Sequence, residues 1–231
     1  FMVYVTGDTH GDISRLSPSA LKFMEPGDTL IICGDFGFVW DNSKREDKIL
    51  RSLGKRRYNI CFIDGTHENF GLLDRYPVTK FNGGKVHRIS GNLYHLMRGQ
   101  LYRIDGMSIF TMGGGELPDA EYVEVGDELG GAELPSRDEL LAGVGVMELV
   151  DYNVDVIVTH EPPAKTREFL LLNTKEEAKV SALNTFFDEL SRQCTYKKWY
   201  FGSMHVDKFI SSNQIALYKN IVDAKTGMKI K

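Results

Sequence analysis

The chain has no large excess of charge of either sign: 28 basic and 32 acidic side chains among 231 residues leave a formal charge of −4. It therefore lacks the electrostatic footprint that a nucleic-acid backbone or an anionic membrane surface demands, and neither is an expected partner. Cysteine is scarce. Cys33, Cys61 and Cys194 are odd in number and lie in or beside apolar runs, which excludes a fully paired disulfide framework and suits a reducing compartment. No apolar run approaches the roughly 20 residues that span a bilayer. No basic leader precedes Met2, so the expected location is the cytoplasm. Internal repeats, low-complexity tracts and linkers are also missing, and one domain over residues 1–231 is expected. A hydrophobic content of 42% suffices for a sizeable core.

Short β-branched and aromatic runs recur along the chain, each stopping at glycine or a polar cluster: "MVYVTGD", "LIICGD", "NICFIDG", "SIFTMGG", "DVIVTH" and "KWYFGS". They read as buried strands. Polar segments of helical character separate several of them, which predicts an α/β sheet with helices on its faces. One helix is expected over residues 42–57 and one from a capping box at Ser136 towards Leu149. A third is expected from Thr174, where "TKEE" offers Glu177 as capping partner and Ala178, Leu183, Phe186, Phe187 and Leu190 supply an apolar side. "FNGGKVHRIS" and "LYRIDGMSIF" read as hairpins. Residues 113–135, rich in glycine, proline and acid, break the pattern as a long loop, either a lid or binding loop or a disordered segment.

The chemistry sits where the strands stop. Asp8 and His10 follow the first run, Asp35 the second and His67 the third, while His160 and His205 follow "DVIV" and "KWYF". Ligand sites of open α/β sheets lie at the carboxyl ends of strands, so these residues are expected to converge. Any one of them alone is explained by a helix cap or a satisfied turn. Six together, most beside glycine, point to a shared metal site whose mixed oxygen and nitrogen donors suit manganese, iron, nickel or zinc better than magnesium alone. His87 and His95 lack such a setting and are expected to be structural.

In order, "GDTHG", "GDFG", "GTHEN", "VTHEPP" and "GSMH" resemble the signature of the calcineurin-like metallophosphoesterases: Asp-x-His, Gly-Asp, Gly-Asn-His-Glu or Asp, His, then Gly-His-x-His. The resemblance spans residues 7–205. It implies two packed mixed β-sheets flanked by helices, a four-layer α/β sandwich with metals at the strand C-terminal ends. It also implies Asp8, His10 and His205 as ligands of a first divalent ion, Asp35 as a bridge, His160 on a second ion, and His67 as the histidine that assists the leaving group. Two positions depart from the pattern. Thr66 stands for the asparagine and Ser203 for the first histidine of Gly-His-x-His, both at the second ion. The charge is unchanged but donor strength falls, so one or two ions per chain are expected, with a weak second site. Hydroxyls suit manganese or magnesium more than zinc; manganese is the first expectation, with iron, zinc and nickel as alternatives. Phe38 replaces an aspartate that orients the catalytic imidazole in some members, leaving Asp41 and Asp64 as substitutes.

By this resemblance the chain hydrolyses a phosphomonoester or phosphodiester with a water activated by the metals. The alternatives are a degenerate member that binds a phosphorylated ligand or partner without efficient turnover, and an interaction protein that uses the metal only as a staple. The expected substrate is a small phosphoester or phosphopeptide. Arg98, Arg103, Lys165 and Arg167 are candidate phosphate contacts, and Trp40 either walls the pocket or packs, with packing expected.

Overall fold

Val3 and Val5 of strand β1 (Val3–Thr6) face one apolar cluster and Tyr4 between them faces another. A strand buried on both faces has helices or a second sheet on each side. The computed structural model of the protein describes residues 1–117 and 131–231. Strands β2 (Thr29–Ile32) and β3 (Asn59–Phe62) alternate in the same way. With β4 (Val78–Phe81), β5 (Gly84–Ser90), β6 (Leu93–Leu96) and β13 (Ile221–Asp223) they form a sheet ordered β13-β1-β2-β3-β6-β5-β4. The second sheet runs β11-β12-β10-β9-β8-β7, from β7 (Gln100–Ile104), β8 (Met107–Met112), β9 (Asn153–Thr159), β10 (Thr195–Phe201), β11 (Lys208–Phe209) and β12 (Gln214–Ala216). In both sheets the central pairs are parallel and antiparallel strands close the edges.

Three apolar layers hold this arrangement. Val5, Ile31, Val158 and Tyr200 meet between the sheets. Leu30, Ile32 and Phe62 turn outward against Leu50 and Leu53 of helix α1 (Lys44–Gly54) and against Leu72 and Leu73 at the short helix α2 (Phe70–Leu73). On the far side Ile157, Trp199 and Phe201 pack against Met147 of α3 (Arg137–Glu148) and against α5 (Ala182–Gln193), with α4 (Ala164–Leu171) beside them. This is the expected four-layer sandwich of two mixed sheets flanked by helices. The hairpins turn through Asn82-Gly83 and Asp105-Gly106, all four at positive φ, as two-residue turns between twisted strands require. The three cysteines are free thiols. Among the described residues no helix is long and apolar enough to cross a membrane.

The helices expected over 42–57 and from Ser136 are present as α1 and α3, the latter with the reciprocal Ser136–Glu139 capping box. The helix expected from Thr174 begins later. Its cap is Ser181, paired reciprocally with Asn184, while Thr174 donates its hydroxyl to the Leu171 carbonyl and finishes the preceding helix. Packing decides the start. Leu183, Phe187 and Leu190, spaced by four and three, seat the helix on the sheet, whereas Lys175, Glu176, Glu177 and Ala178 are exposed and have no core to reach. At both described ends of the 113–135 loop the chain has neither helix nor strand; residues 118–130 lie outside the described residues.

Phe187 is fully buried and meets Trp199 edge-on at 5.9 Å. Phe187→Ala is expected to lower the unfolding free energy in urea titration by about 3–5 kcal/mol. Leu149→Ala, at a side chain 85% exposed, should change it by less than about 0.5 kcal/mol. Equal losses would mean that α5 is not seated on this sheet.

Candidate metal centre

Five strands of the two sheets end at one place: β1, β2 and β3 from the first, β9 and β10 from the second. Backbone hydrogen bonds knit the turns that follow. His10 N–H donates to the Asp35 carbonyl (2.8 Å), Gly11 to that of Phe36 (2.9 Å) and Gly202 to that of His160 (3.1 Å). His10, Asp35, Ser203 and His205 all have positive φ, between 44° and 59°. For a residue other than glycine this conformation costs about 1–2 kcal/mol, and it clusters where geometry serves a site rather than stability. Two glycines make the close approach possible. A Cβ on Gly65 would lie 2.1 Å from Asp35 Oδ1, and one on Gly202 would lie 2.2 Å from Asp8 Oδ1.

Ligand atoms of Asp8, His10, Asp35 and His205 all come within 4.8 Å of one another. His205 Nε2 is 3.0 Å from Asp8 Oδ2 and 3.1 Å from His10 Nε2. His10 Nε2 is also 3.6 Å from both Asp8 Oδ2 and Asp35 Oδ2. Asp35 is divided in its contacts. Oδ1 accepts from the backbone N–H groups of Thr66 (2.7 Å) and His67 (2.8 Å), while Oδ2 faces His67 Nδ1 at 3.1 Å, His160 Nε2 at 3.5 Å and His10. The buried His160 places Nδ1 2.8 Å from the Cys33 carbonyl, which fixes that nitrogen as the donor and leaves Nε2 directed at Asp35. This is the usual support of a ligating imidazole.

Asp8 and Asp35 are both buried, and burial alone would raise their carboxyls. The charge of His160 outweighs it, helped by hydrogen bonds from His10 and His205 to Asp8 and from His67 to Asp35, so both carboxyls lie below the usual range. Burial in turn disfavours the His160 imidazolium, but Asp35 and Asp8 together hold its pKa well up. Two ionised carboxylates facing convergent imidazoles hold either protons or a cation, and the donor set of carboxylate oxygen and imidazole nitrogen fits a divalent ion.

Of the residues expected at the centre, Asp8, His10, Asp35 and His205 form one cluster, with His160 and His67 against Asp35. Thr66 touches it through its backbone, and its hydroxyl lies 3.1 Å from His67 Nδ1. Ser203 donates its backbone N–H to Asp8 Oδ1 (3.2 Å); its Oγ is buried with no hydrogen-bond partner among the described residues. Neither Asp41 nor Asp64 is seen to orient His67. Asp41 accepts from Ser43 N–H, and Asp64 is bonded by His95 Nε2 (2.8 Å) and twice by Arg98. His87 continues that buried chain, Nδ1 to Nδ1 of His95 at 2.9 Å. Arg98 is thereby removed from the phosphate candidates, since it clamps Asp64, Glu139 and the carbonyls of residues 132–134. Arg103 lies on the edge strand β7. Trp40 does not pack as expected; it is 50% exposed and walls a 250 Å³ hollow with Gly11 and Gly37.

Sequence reasoning missed Arg15, which donates to the Asp8 and Tyr218 carbonyls and holds the first turn in place. It also missed the use of Glu68, which accepts from Phe36 N–H (2.6 Å). Burial, then the nearness of Asp35, pushes the Glu68 carboxyl well up. The "GTHEN" motif contained that signal, but only the fold shows which loop Glu68 holds. Gly202→Ala forces a methyl group onto Asp8 and is expected to remove most tightly held metal from protein that remains folded by circular dichroism. Unchanged metal content by plasma mass spectrometry would show that Asp8 is not a ligand.

Among solved structures, the chain is similar to TT1561 of Thermus thermophilus, with a TM-score of 0.53 and 12% identity over 98% of this chain and 96% of that one. It also matches the Thermus thermophilus sulfate thiohydrolase SoxB in complex with glycerol, at a TM-score of 0.41 and 11% identity, covering 97% of this chain and 42% of that one. At such identities the first likeness concerns the fold alone. A search of curated protein sequences finds no match. The model of the family described as calcineurin-like phosphoesterase, however, matches residues 1–218. That match takes in every strand end that supplies the Asp and His cluster, and the chain belongs to the calcineurin-like phosphoesterase family.

Proposed function

We propose that the chain, as one domain over residues 1–231, is a metal-dependent phosphoesterase that hydrolyses a phosphomonoester or phosphodiester. The observation that carries this reading is the convergence of Asp8, His10, Asp35 and His205 within 4.8 Å at the ends of strands from both sheets. These four residues would hold a first divalent ion. Asp35 Oδ2, which faces His160 Nε2, would be shared with a second. Bound divalent ions supply Lewis acidity, neutralising the phosphoryl oxygens and acidifying a water for in-line attack. Manganese is the first candidate, with iron, zinc and nickel as alternatives.

The protein's own groups do the rest. His67 is bonded through its backbone and its Nδ1 to Asp35, which holds the ring against the centre, while its side chain is 42% exposed and within reach of substrate. As a general acid it donates a proton to the departing alkoxide. Thr66 spends its hydroxyl on the His67 ring, so it adds orientation to His67 and little to the second ion. The buried Ser203 Oγ, without a hydrogen-bond partner among the described residues, replaces a stronger nitrogen donor, and the second ion is held weakly. A small phosphoester or phosphopeptide, met in the cytoplasm, is the proposed substrate, since a formal charge of −4 offers no footprint for long nucleic acid. The same weakness at Thr66 and Ser203 supports a second reading, a member that binds a phosphorylated ligand without efficient turnover.

Stripped protein titrated with manganese should take up one equivalent tightly and a second at least about tenfold more weakly, with hydrolysis of 4-nitrophenyl esters rising on the second. Ser203→His should narrow that gap. Two equal tight equivalents in the wild type would overturn the weak-site assignment. On an alkyl ester, whose leaving alkoxide needs a proton, His67→Ala should lower kcat about 10²- to 10⁴-fold at unchanged metal content, and less on the 4-nitrophenyl esters. Full metal loading without any turnover favours the binding reading.

A further inference from the structure

Beside the centre lies a cleft of about 500 Å³, within the range of small-molecule sites. It opens from Ser203 and His205 and runs under the C-terminal half of α4. Its walls are mixed: Leu170, Leu171, Met204 and Val206 present apolar surface beside the polar Arg167, Thr174, Ser203 and Lys208. An inorganic oxyanion leaves the apolar part of these walls uncovered, whereas an organic substituent covers it.

Position decides which substituent. Ser203 and His205 contact Asp8, at 3.2 and 3.0 Å, while His67 stands on Asp35. The cleft and the proposed acid therefore flank different carboxylates of the centre. A group that departs with a proton from His67 leaves at the Asp35 end, and whatever fills the cleft at the Asp8 end stays on phosphorus. A monoester has no second organic group to place there. Charge narrows the choice further. Arg167, on the cleft wall, is tied to Glu161 (3.6 Å) and to the Lys179 carbonyl. Lys208, whose Nζ lies 5.1 Å over the Phe169 ring, has no carboxylate partner among the described residues. Glu176 also lines the cleft, and the cation at Lys208 is the lining charge that a negative group on a ligand would match.

Resting on the phosphoesterase reading above, we propose that the substrate is a phosphodiester. Its retained substituent is an apolar or aromatic group that occupies the cleft between α4 and the Ser203–Val206 turn and carries negative charge towards Lys208. Water oxygen bonds to phosphorus and the bond from phosphorus to the leaving oxygen breaks. The leaving oxygen takes a proton from His67, and the products are an alcohol and a monoester bearing the retained group; a proton from the attacking water restores His67.

The test compares manganese-loaded protein on 4-nitrophenyl phosphate, 4-nitrophenyl methyl phosphate, 4-nitrophenyl phenyl phosphate and the 4-carboxyphenyl analogue. Calorimetry with phenylphosphonate and methylphosphonate gives a readout without turnover. The expected order of kcat/KM is carboxyphenyl above phenyl, phenyl above methyl by on the order of tenfold or more, and the monoester last. Phenylphosphonate should bind more tightly than methylphosphonate by a similar factor. Leu170→Trp, which fills the cleft, should bring both phenyl-to-methyl ratios towards one, and Lys208→Gln should abolish the carboxyphenyl advantage alone. Should either variant fold poorly, the wild-type series decides. Hydrolysis with the monoester preferred, or with phenyl and methyl equal in both assays, overturns this proposal and leaves the phosphoesterase reading standing. No hydrolysis of any ester with any of the candidate metals overturns both.

Discussion

Two carboxylates, Asp8 and Asp35, are buried within reach of the same imidazoles, and the cost of burying their charge is the constraint around which the site is arranged. Burying an ion costs several kcal/mol unless it is paired. Here the compensation comes from every side: backbone N–H groups of Thr66, His67 and Ser203, ring nitrogens of His10, His160 and His205, and a site shaped for a cation. The strand ends and turns around the site answer to that need. The parallel strands deliver the donors to one end, the glycines let backbone approach carboxylate, and the positive-φ residues bend the turns inward.

Strands β1, β2, β3, β8, β9 and β10 were legible because each is a short apolar run ended by glycine or a polar cluster, and because β1, β2, β9 and β10 are buried on both faces; the two- and three-residue strands β11, β12 and β13 are too short to leave such a signal. The second sheet was not legible from periodicity. A residue such as Val158 reads as buried whether a helix or another sheet covers it, and only the resemblance carried by the motifs supplied the partner layer. Thr174 shows the opposite failure. Its local signal for a helix start is sound, yet a helix cap is worth only about 1 kcal/mol and loses to the docking of Leu183, Phe187 and Leu190 further along the chain.

At the site, residue types with few structural uses at a strand end were readable, and their supports were not. Asp64 was a candidate partner for His67, but its carboxylate turns to His95 and Arg98; an aspartate beside a motif does not announce which way it faces. Arg98 looked like a phosphate contact for the same reason. Buried against Asp64 and Glu139, it instead ties the return of the chain at residues 132–134 to the turn that precedes His67. The Cys33 carbonyl that orients His160 has no sequence signal at all, because a backbone acceptor is present at every residue.

The division of ligands between sheets has a consequence for how the molecule tolerates change. Asp8, His10 and Asp35 ride on one sheet, His160 and His205 on the other, and the contact between the two sheets is made of Val5, Ile31, Val158, Tyr200 and their neighbours. Neither sheet carries a complete set. The centre therefore works as a gauge of alignment: sliding one sheet past the other by a single residue, about 3.3 Å, would part donors that now stand 3.0–3.7 Å from each other. The apolar seam is in effect the alignment jig of the polar centre, and residues that never touch an ion set the spacing at which one can be held.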